Sequence, residues 1–310
     1  MKSLRLLLPV VLLSFAAPLP ALAQFEGDWA PCHEGSAEVA IEACTRLVQR
    51  KPIEAWKLAK AHVSRGLAYA GRNEFAKAVE DYNRAIEIDG DDVWTYNNRG
   101  LAHAGLGDYD RALADYAKAL SLDRANAWVY QNRALAYAAQ GAHDRALQDF
   151  AKTIALAPEN ASAYNNRGEI YAKKGDTERA VQDFTTAIAL EPDDTWAYTN
   201  RGTVHAGKRR YDQAIADFTK AIDVDPTNIW AINNRAWAHL NAGKTSQALA
   251  DANQALELSP DNPVFLNTRG HILEVLGRRR QAIADLRQAI AKDPTVQGSK
   301  AALKRLKALR

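Results

Sequence analysis

Small and apolar residues recur along this chain at helical spacing, and each such stretch is followed by another after a single turn residue. The segment VWTYNNRGLAHAGL, residues 93–106, shows the pattern. A helix advances about 100° per residue, so Tyr96, Arg99, Ala102 and His103 share one face and Trp94, Asn97 and Asn98 share the opposite one. Gly107 interrupts, and a second stretch of the same period runs through Ala112 and Tyr116. The sequence therefore predicts a helical pair, with the Tyr96 face turned to the core and the Asn97–Asn98 face turned off it.

The pair repeats without drift. Arg65, Arg99, Arg133, Arg167, Arg201, Arg235 and Arg269 follow one another at steps of 34 residues. A fixed period of this size signals an array, because one helical pair cannot bury its apolar face alone. Counting each arginine as position 7 gives seven units: 59–92, 93–126, 127–160, 161–194, 195–228, 229–262 and 263–296. Position 8 is glycine in five units, with Ala134 and Ala236 in the other two. Position 20 is alanine throughout, and position 24 is Tyr82, Tyr116, Phe150, Phe184 and Phe218, then Ala252 and Leu286. Position 15, the turn, is glycine except at Asn73 and Arg209. Position 34 offers the next unit an N-cap through Asp92, Asn126, Asn160, Asp194, Asn228 or Asn262. Position 32 is proline in the last five units.

This frame resembles the tetratricopeptide repeat family over residues 59–296. The resemblance implies an all-α fold: a right-handed superhelical solenoid of seven helix pairs, whose first helices line a concave groove that binds peptides or protein segments. Residues 40–48, AIEACTRLV, imitate a second helix such as AIADFTKAI at 214–222, so residues 24–58 are expected to form an N-terminal cap with a half-repeat helix. Residues 297–310, with SKAALKRLKALR, read as a basic amphipathic capping helix.

An arginine on a packed face needs a partner. Position 23 supplies aspartate in every unit: Asp81, Asp115, Asp149, Asp183, Asp217, Asp251 and Asp285. Positions 7 and 23 lie eight residues either side of the turn, hence level in an antiparallel hairpin. The expectation is a structural ladder of seven ion pairs, made either within a repeat, as Arg99 with Asp115, or to the preceding one.

The opposite face is the candidate for recognition. Position 6 is Asn98, Asn132, Asn166, Asn200 and Asn234; position 5 adds Asn97, Asn165 and Asn233; position 2 adds Trp94, Trp128, Trp196 and Trp230. An asparagine amide carries both donor and acceptor and suits the backbone of an extended peptide. The row resembles the asparagine ladder with which the tetratricopeptide superhelix of a sugar transferase grips extended polypeptides. Two readings stand for each group: the asparagines hold a ligand or bond to neighbouring helices, and the tryptophans stack on a ligand or pack on the preceding loop. The basic residues that would clamp an acidic C-terminal tail are missing from positions 5 and 9.

Composition adds the compartment. Residues 1–23 carry Lys2 and Arg5, an apolar run and Ala21-Leu22-Ala23, the pattern of a signal peptide cut after Ala23. Export predicts a disulfide between the two cysteines, Cys32 and Cys44, and a periplasmic or secreted protein with no stable membrane span after cleavage. The formal charge of +3, less Lys2 and Arg5, leaves +1, which argues against bulk nucleic-acid binding. No phosphate loop or nucleophile elbow appears, so neither an enzyme nor a cofactor is expected. His103, His205 and His239 stand at position 11, where other units have tyrosine, a repeat apart and too distant to share a metal. The sequence thus points to an interaction scaffold of the cell envelope that binds a protein or extended peptide. Its alternatives are an envelope component that binds glycan through the tryptophan face, and a non-catalytic scaffold subunit of an enzyme complex.

Overall fold

A computed structural model describes residues 28–50 and 53–308. The expected signal peptide, 1–23, lies outside the described residues. The described residues form seventeen α-helices and no strand, and the chain divides into two compact units, 1–158 and 159–310.

The first unit opens with α1 (Trp29–Glu34) and α2 (Ala37–Gln49). Three helix pairs follow: α3 (Ala55–Gly71) with α4 (Phe75–Ile88), α5 (Val93–Gly105) with α6 (Tyr109–Leu122), and α7 (Ala127–Ala139) with α8 (His143–Leu156). The second unit holds four pairs: α9 (Ala161–Lys173) with α10 (Thr177–Leu190), α11 (Thr195–Gly207) with α12 (Tyr211–Val224), α13 (Ile229–Asn241) with α14 (Thr245–Leu258), and α15 (Pro263–Val275) with α16 (Arg279–Lys292). The helix α17 (Ser299–Ala308) closes it. Within each unit every helix packs on the next, and each first helix also touches the first helix of the following pair.

Local chemistry sets the boundaries. All six Asp and Asn residues at position 34 cap the following helix, their side chains accepting from backbone N–H groups such as Trp94 and Thr95 at Asp92. The residue before the first repeat is Leu58, which has no capping oxygen, and α3 accordingly runs back from position 59 to Ala55. Every turn residue is left-handed, the two non-glycines included: Asn73 has φ 61° and Arg209 has φ 59°. At Gly107 the N–H bonds to Ala104 and that of Asp108 to His103, and the same two bonds form at Arg209 and Arg210. The turn is therefore imposed by the hairpin, and Arg209 adopts it without the freedom of glycine. Arg209→Gly is expected to raise stability by about 1 kcal/mol, read as a higher midpoint in urea unfolding.

In each unit the core is built of small and aromatic groups. The position-20 alanines are fully buried, as are Tyr82, Tyr116, Phe150, Phe184 and Phe218. A Cβ added to Gly168 would lie 2.8 Å from Cε1 of Phe184, so glycine there lets the ring lie close against the first helix, whereas the third repeat accommodates Ala134 beside Phe150. At the N-terminal end Cys32 and Cys44 form a disulfide that holds α1 on α2, and α2 packs against α3 as the second helix of a repeat does. At the other end Ala302 and Leu306 of α17 cover Leu273 and Leu286, while Arg305 pairs with Glu274.

Candidate functional site

The seven arginines at position 7 each fork onto the aspartate of their own repeat. Nε and an Nη donate to the two carboxylate oxygens at 2.6 to 3.0 Å in every case. Where position 25 of the preceding repeat is polar, the other Nη reaches it too: Arg99 to Asn83, Arg201 to Thr185, Arg235 to Thr219 and Arg269 to Asn253. Arg65 makes the same bond to Thr45 of the half-repeat helix α2. The pair locks the hairpin, and the third bond staples it to its predecessor. Of the two alternatives left open by the sequence, the ion pair is made within the repeat, and the bond to the preceding repeat goes to a neutral side chain through another nitrogen of the same guanidinium. Tyrosine faces at position 4 flank the charge, with the guanidinium carbon of Arg99 5.5 Å from the Tyr96 ring centroid.

His103, His205 and His239 lie beside this ladder. Their Nε2 atoms stand 3.9, 3.9 and 3.8 Å from Asp115, Asp217 and Asp251, and their Nδ1 atoms are buried without a partner. Burial is the main influence on all three and holds their pKa below the ordinary histidine value, against the nearby carboxylate, which pulls it up. An unfolded chain therefore takes up protons that the folded one refuses. Stability is complete above the unfolded pKa, about 6.5, and falls as pH drops below it. Thermal unfolding at pH 7.5 and 5.5 should show a lower midpoint at pH 5.5. Replacing the three histidines with tyrosine, as at Tyr69, Tyr137 and Tyr171, should reduce the difference. His33 and His271, also lowered by burial, sustain the remainder.

The face carrying the asparagines is not uniform. Asn97, Asn165 and Asn233 were expected to point off the core, but they are only 3, 8 and 4% exposed. Each sits at the crevice where one first helix meets the next. Asn132 Nδ2 donates to Asn97 Oδ1 at 2.8 Å, and Asn200 Nδ2 donates to Asn165 Oδ1 at 3.1 Å and to Glu169 Oε1 at 3.2 Å. Asn234 Nδ2 reaches Thr203 Oγ1 at 3.5 Å. At Asn97 and Asn165, position 5 is thus an acceptor for position 6 of the next repeat and belongs to the packing between first helices. The residues left half-exposed are Asn98, Asn132, Asn166, Asn200 and Asn234. For Asn200 both amide N–H groups are engaged by the neighbouring helix, which leaves the acceptor, whereas Asn132 commits one N–H to Asn97 and keeps the other beside its acceptor.

The tryptophans divide as well. Trp94, Trp128 and Trp196 are 38, 44 and 51% exposed, whereas Trp230 packs edge-on against Phe265 with centroids 5.3 Å apart. Trp56, before the repeats, and Trp237, at position 9, are also exposed indoles; the sequence frame gave no signal for either, since position 9 elsewhere is mostly leucine or polar. Glu169, also at position 9, is mostly buried, and its carboxyl is raised above the usual range chiefly by burial, against Lys173 and the Asn200 bond.

Among the described residues no group of three or more His, Cys, Asp or Glu side chains is placed to hold a metal ion, and no helix is long and apolar enough to cross a membrane.

Family comparisons match the repeat region in three pieces. The family described as "TPR repeat" matches residues 66–107, "Tetratricopeptide repeat" matches 93–126, and "ETO1 C-terminal domain" matches 128–274. No curated protein matches the chain. Solved structures share its fold. A tetratricopeptide repeat protein from Parabacteroides merdae is 21% identical with a TM-score of 0.63, over 80% of this chain and 98% of that one. Pseudomonas aeruginosa pilF is 19% identical with a TM-score of 0.61, over 70% and 97%. YrrB, described as a TPR protein with an unusual peptide-binding site, is 24% identical with a TM-score of 0.50, over 65% and 99%.

Proposed function

Because this chain is a tetratricopeptide-repeat protein, built on a fold that serves protein–protein interaction, we propose that it is a non-catalytic adaptor that holds an extended segment of a partner protein along its first helices. The observation that carries this reading is the half-exposed asparagines at position 6, Asn98 and Asn132 in the first unit and the row Asn166, Asn200 and Asn234 in the second. The bonds from Asn132 to Asn97 and from Asn200 to Asn165 fix those amides in place. Each then offers Oδ1 as a ready acceptor for a backbone N–H, which recognises an extended chain whatever its side chains. Neighbouring first helices lie roughly 10 Å apart, and an extended strand advances about 3.3 Å per residue. One asparagine therefore meets about every third residue of the ligand. Trp94 and Trp128 in the first unit and Trp196 in the second flank these asparagines as exposed apolar surface for its side chains. The Cys32–Cys44 disulfide and the leader-like residues 1–23 support a workplace outside the reducing cytosol, in the periplasm or beyond. YrrB, with its peptide-binding site, is a precedent on the same fold.

The test is binding of a reduced, alkylated model polypeptide, followed by fluorescence anisotropy. Changing Asn166, Asn200 and Asn234, all in the second unit, to alanine removes three acceptors worth about 1 kcal/mol each, and affinity should fall roughly 100-fold. Circular dichroism must show the variant still folded, because Asn200 also ties adjacent helices together. Equal binding by a folded variant would move recognition off this face.

A further inference from the structure

The C-terminal unit carries a cleft of about 490 Å³ beside α13 and α15, within the size range of small-molecule sites. Gln297 and Gly298, on the loop into α17, form part of its wall. No acidic side chain, lysine or arginine lines it. The lining is amide, hydroxyl, imidazole and indole: Asn233, Trp237, Asn267, Thr268, His271 and Gln297 carry its chemistry. Burial holds the pKa of His271 down, against Glu274.

Three features set this cleft apart from the rest of the first-helix face. The first is Trp237, 41% exposed, whose indole meets the His271 ring edge-on at 5.9 Å. That contact supports the indole and leaves much of it open. The second is Asn233. At Asn97 and Asn165 the position-5 amide oxygen accepts from the asparagine of the next repeat. After Asn233 the residue in that place is Thr268, whose hydroxyl turns back to the carbonyl of Val264 at 3.1 Å. Asn233 Oδ1 is left buried with no partner, on a side chain that lines the cleft. A buried polar atom in that state calls for an explanation. Rotation about the terminal torsion turns either end of the amide toward the cleft. The third is Asn267, whose Oδ1 accepts from Ser299 Oγ at 2.6 Å, which fixes the amide and leaves its N–H₂ available.

These groups define the ligand by exclusion and by fit. An ion would find no counter-charge here. A purely apolar molecule would leave the amides unpaired. A ring with one flat apolar face and a rim of hydroxyls satisfies both halves, the face against indole and the rim against amides that both donate and accept.

We propose that this cleft is a saccharide site, which takes a neutral pyranose stacked on Trp237 and hydrogen-bonded by Asn233 and Asn267. It adjoins the position-6 row, whose Asn234 also lines the cleft, and it acts whether or not that row binds peptide.

The experiment is calorimetric titration of residues 24–310 with glucose, N-acetylglucosamine and their β-1,4-linked dimers. At least one should bind with a dissociation constant on the order of 1 mM or tighter. Trp237→Ala, at an exposed position, and Asn233→Leu, which removes the unpaired oxygen, should each weaken it by about 10-fold or more. Leu258→Ala, at an exposed position of the same unit outside the cleft, should leave it unchanged. Thermal melts confirm that each variant is folded. The proposal is overturned if no sugar binds the wild type, or if Trp237→Ala binds as tightly. It is also overturned if Trp237→Ala loses the model polypeptide instead of the sugar, since the cleft would then belong to a peptide track.

Discussion

Asp149→Leu alone will destabilise the protein more than Arg133→Met and Asp149→Leu together. The Asp149 carboxylate is 8% exposed and accepts from Nε and an Nη of Arg133 at 2.7 and 2.9 Å. Removing it strands a guanidinium that is 21% exposed and has only the Tyr130 and Tyr137 rings left beside it. Breaking a buried pair in this way costs about 3–5 kcal/mol, and the partial exposure of Arg133 places this variant near the lower figure. Arg133→Met should cost more, because it leaves a carboxylate that has less access to water. The double variant removes both desolvated charges and puts apolar volume in their place, a replacement that is often neutral or stabilising. Urea unfolding of the four proteins gives the comparison as a double-mutant cycle. If the double variant is less stable than either single one, the ladder is held by something other than mutual compensation of buried charge. Repeats whose arginine also reaches position 25, such as Arg235 with Thr219, should lose more on the same arginine change than Arg133, which faces Ala117.

The second large effect concerns the aromatic core. Phe184 is 1% exposed, and its ring fills the space that the missing side chain of Gly168 leaves open. Phe184→Ala should cost about 3–5 kcal/mol through lost burial and the cavity that remains. Gly168→Ala in the native background places a Cβ 2.8 Å from the ring edge, so the gain in helix propensity, about 1 kcal/mol, is opposed by overpacking. In the Phe184→Ala background the clash is gone, and the same substitution should stabilise by about 1 kcal/mol. The chain already contains that combination in its sixth repeat, where Ala236 stands at position 8 and Ala252 at position 24. A Gly168→Ala effect of the same size in both backgrounds, measured by thermal unfolding, would show that the two positions do not compete for space.

The sequence determined the parts that follow from one helical pair and its period. The 34-residue step located the hairpins, position 15 located their left-handed turns even at Arg209, and position 34 located the N-caps. The level placement of positions 7 and 23 followed from an antiparallel hairpin alone, and every arginine forks onto the aspartate of its own repeat. What the sequence did not resolve is the environment of the opposite face. A helical wheel divides a helix into two faces, packed and open. A helix in a stack has a third neighbour, the first helix of the adjoining repeat. That neighbour buries Asn97, Asn165 and Asn233 and takes up one N–H of Asn132 and both of Asn200. The second helix of the preceding repeat gives the arginines their second partner, at position 25. Whether a position-2 indole is open, as Trp196 is, or packed, as Trp230 is against Phe265, depends on the side chain the next repeat places beside it. The cleft at Trp237 arises because Thr268 takes the place of an asparagine and the loop before α17 forms part of its wall. Periodicity carries the information within a repeat, and only tertiary contact between repeats decides which of its polar groups are left for a ligand.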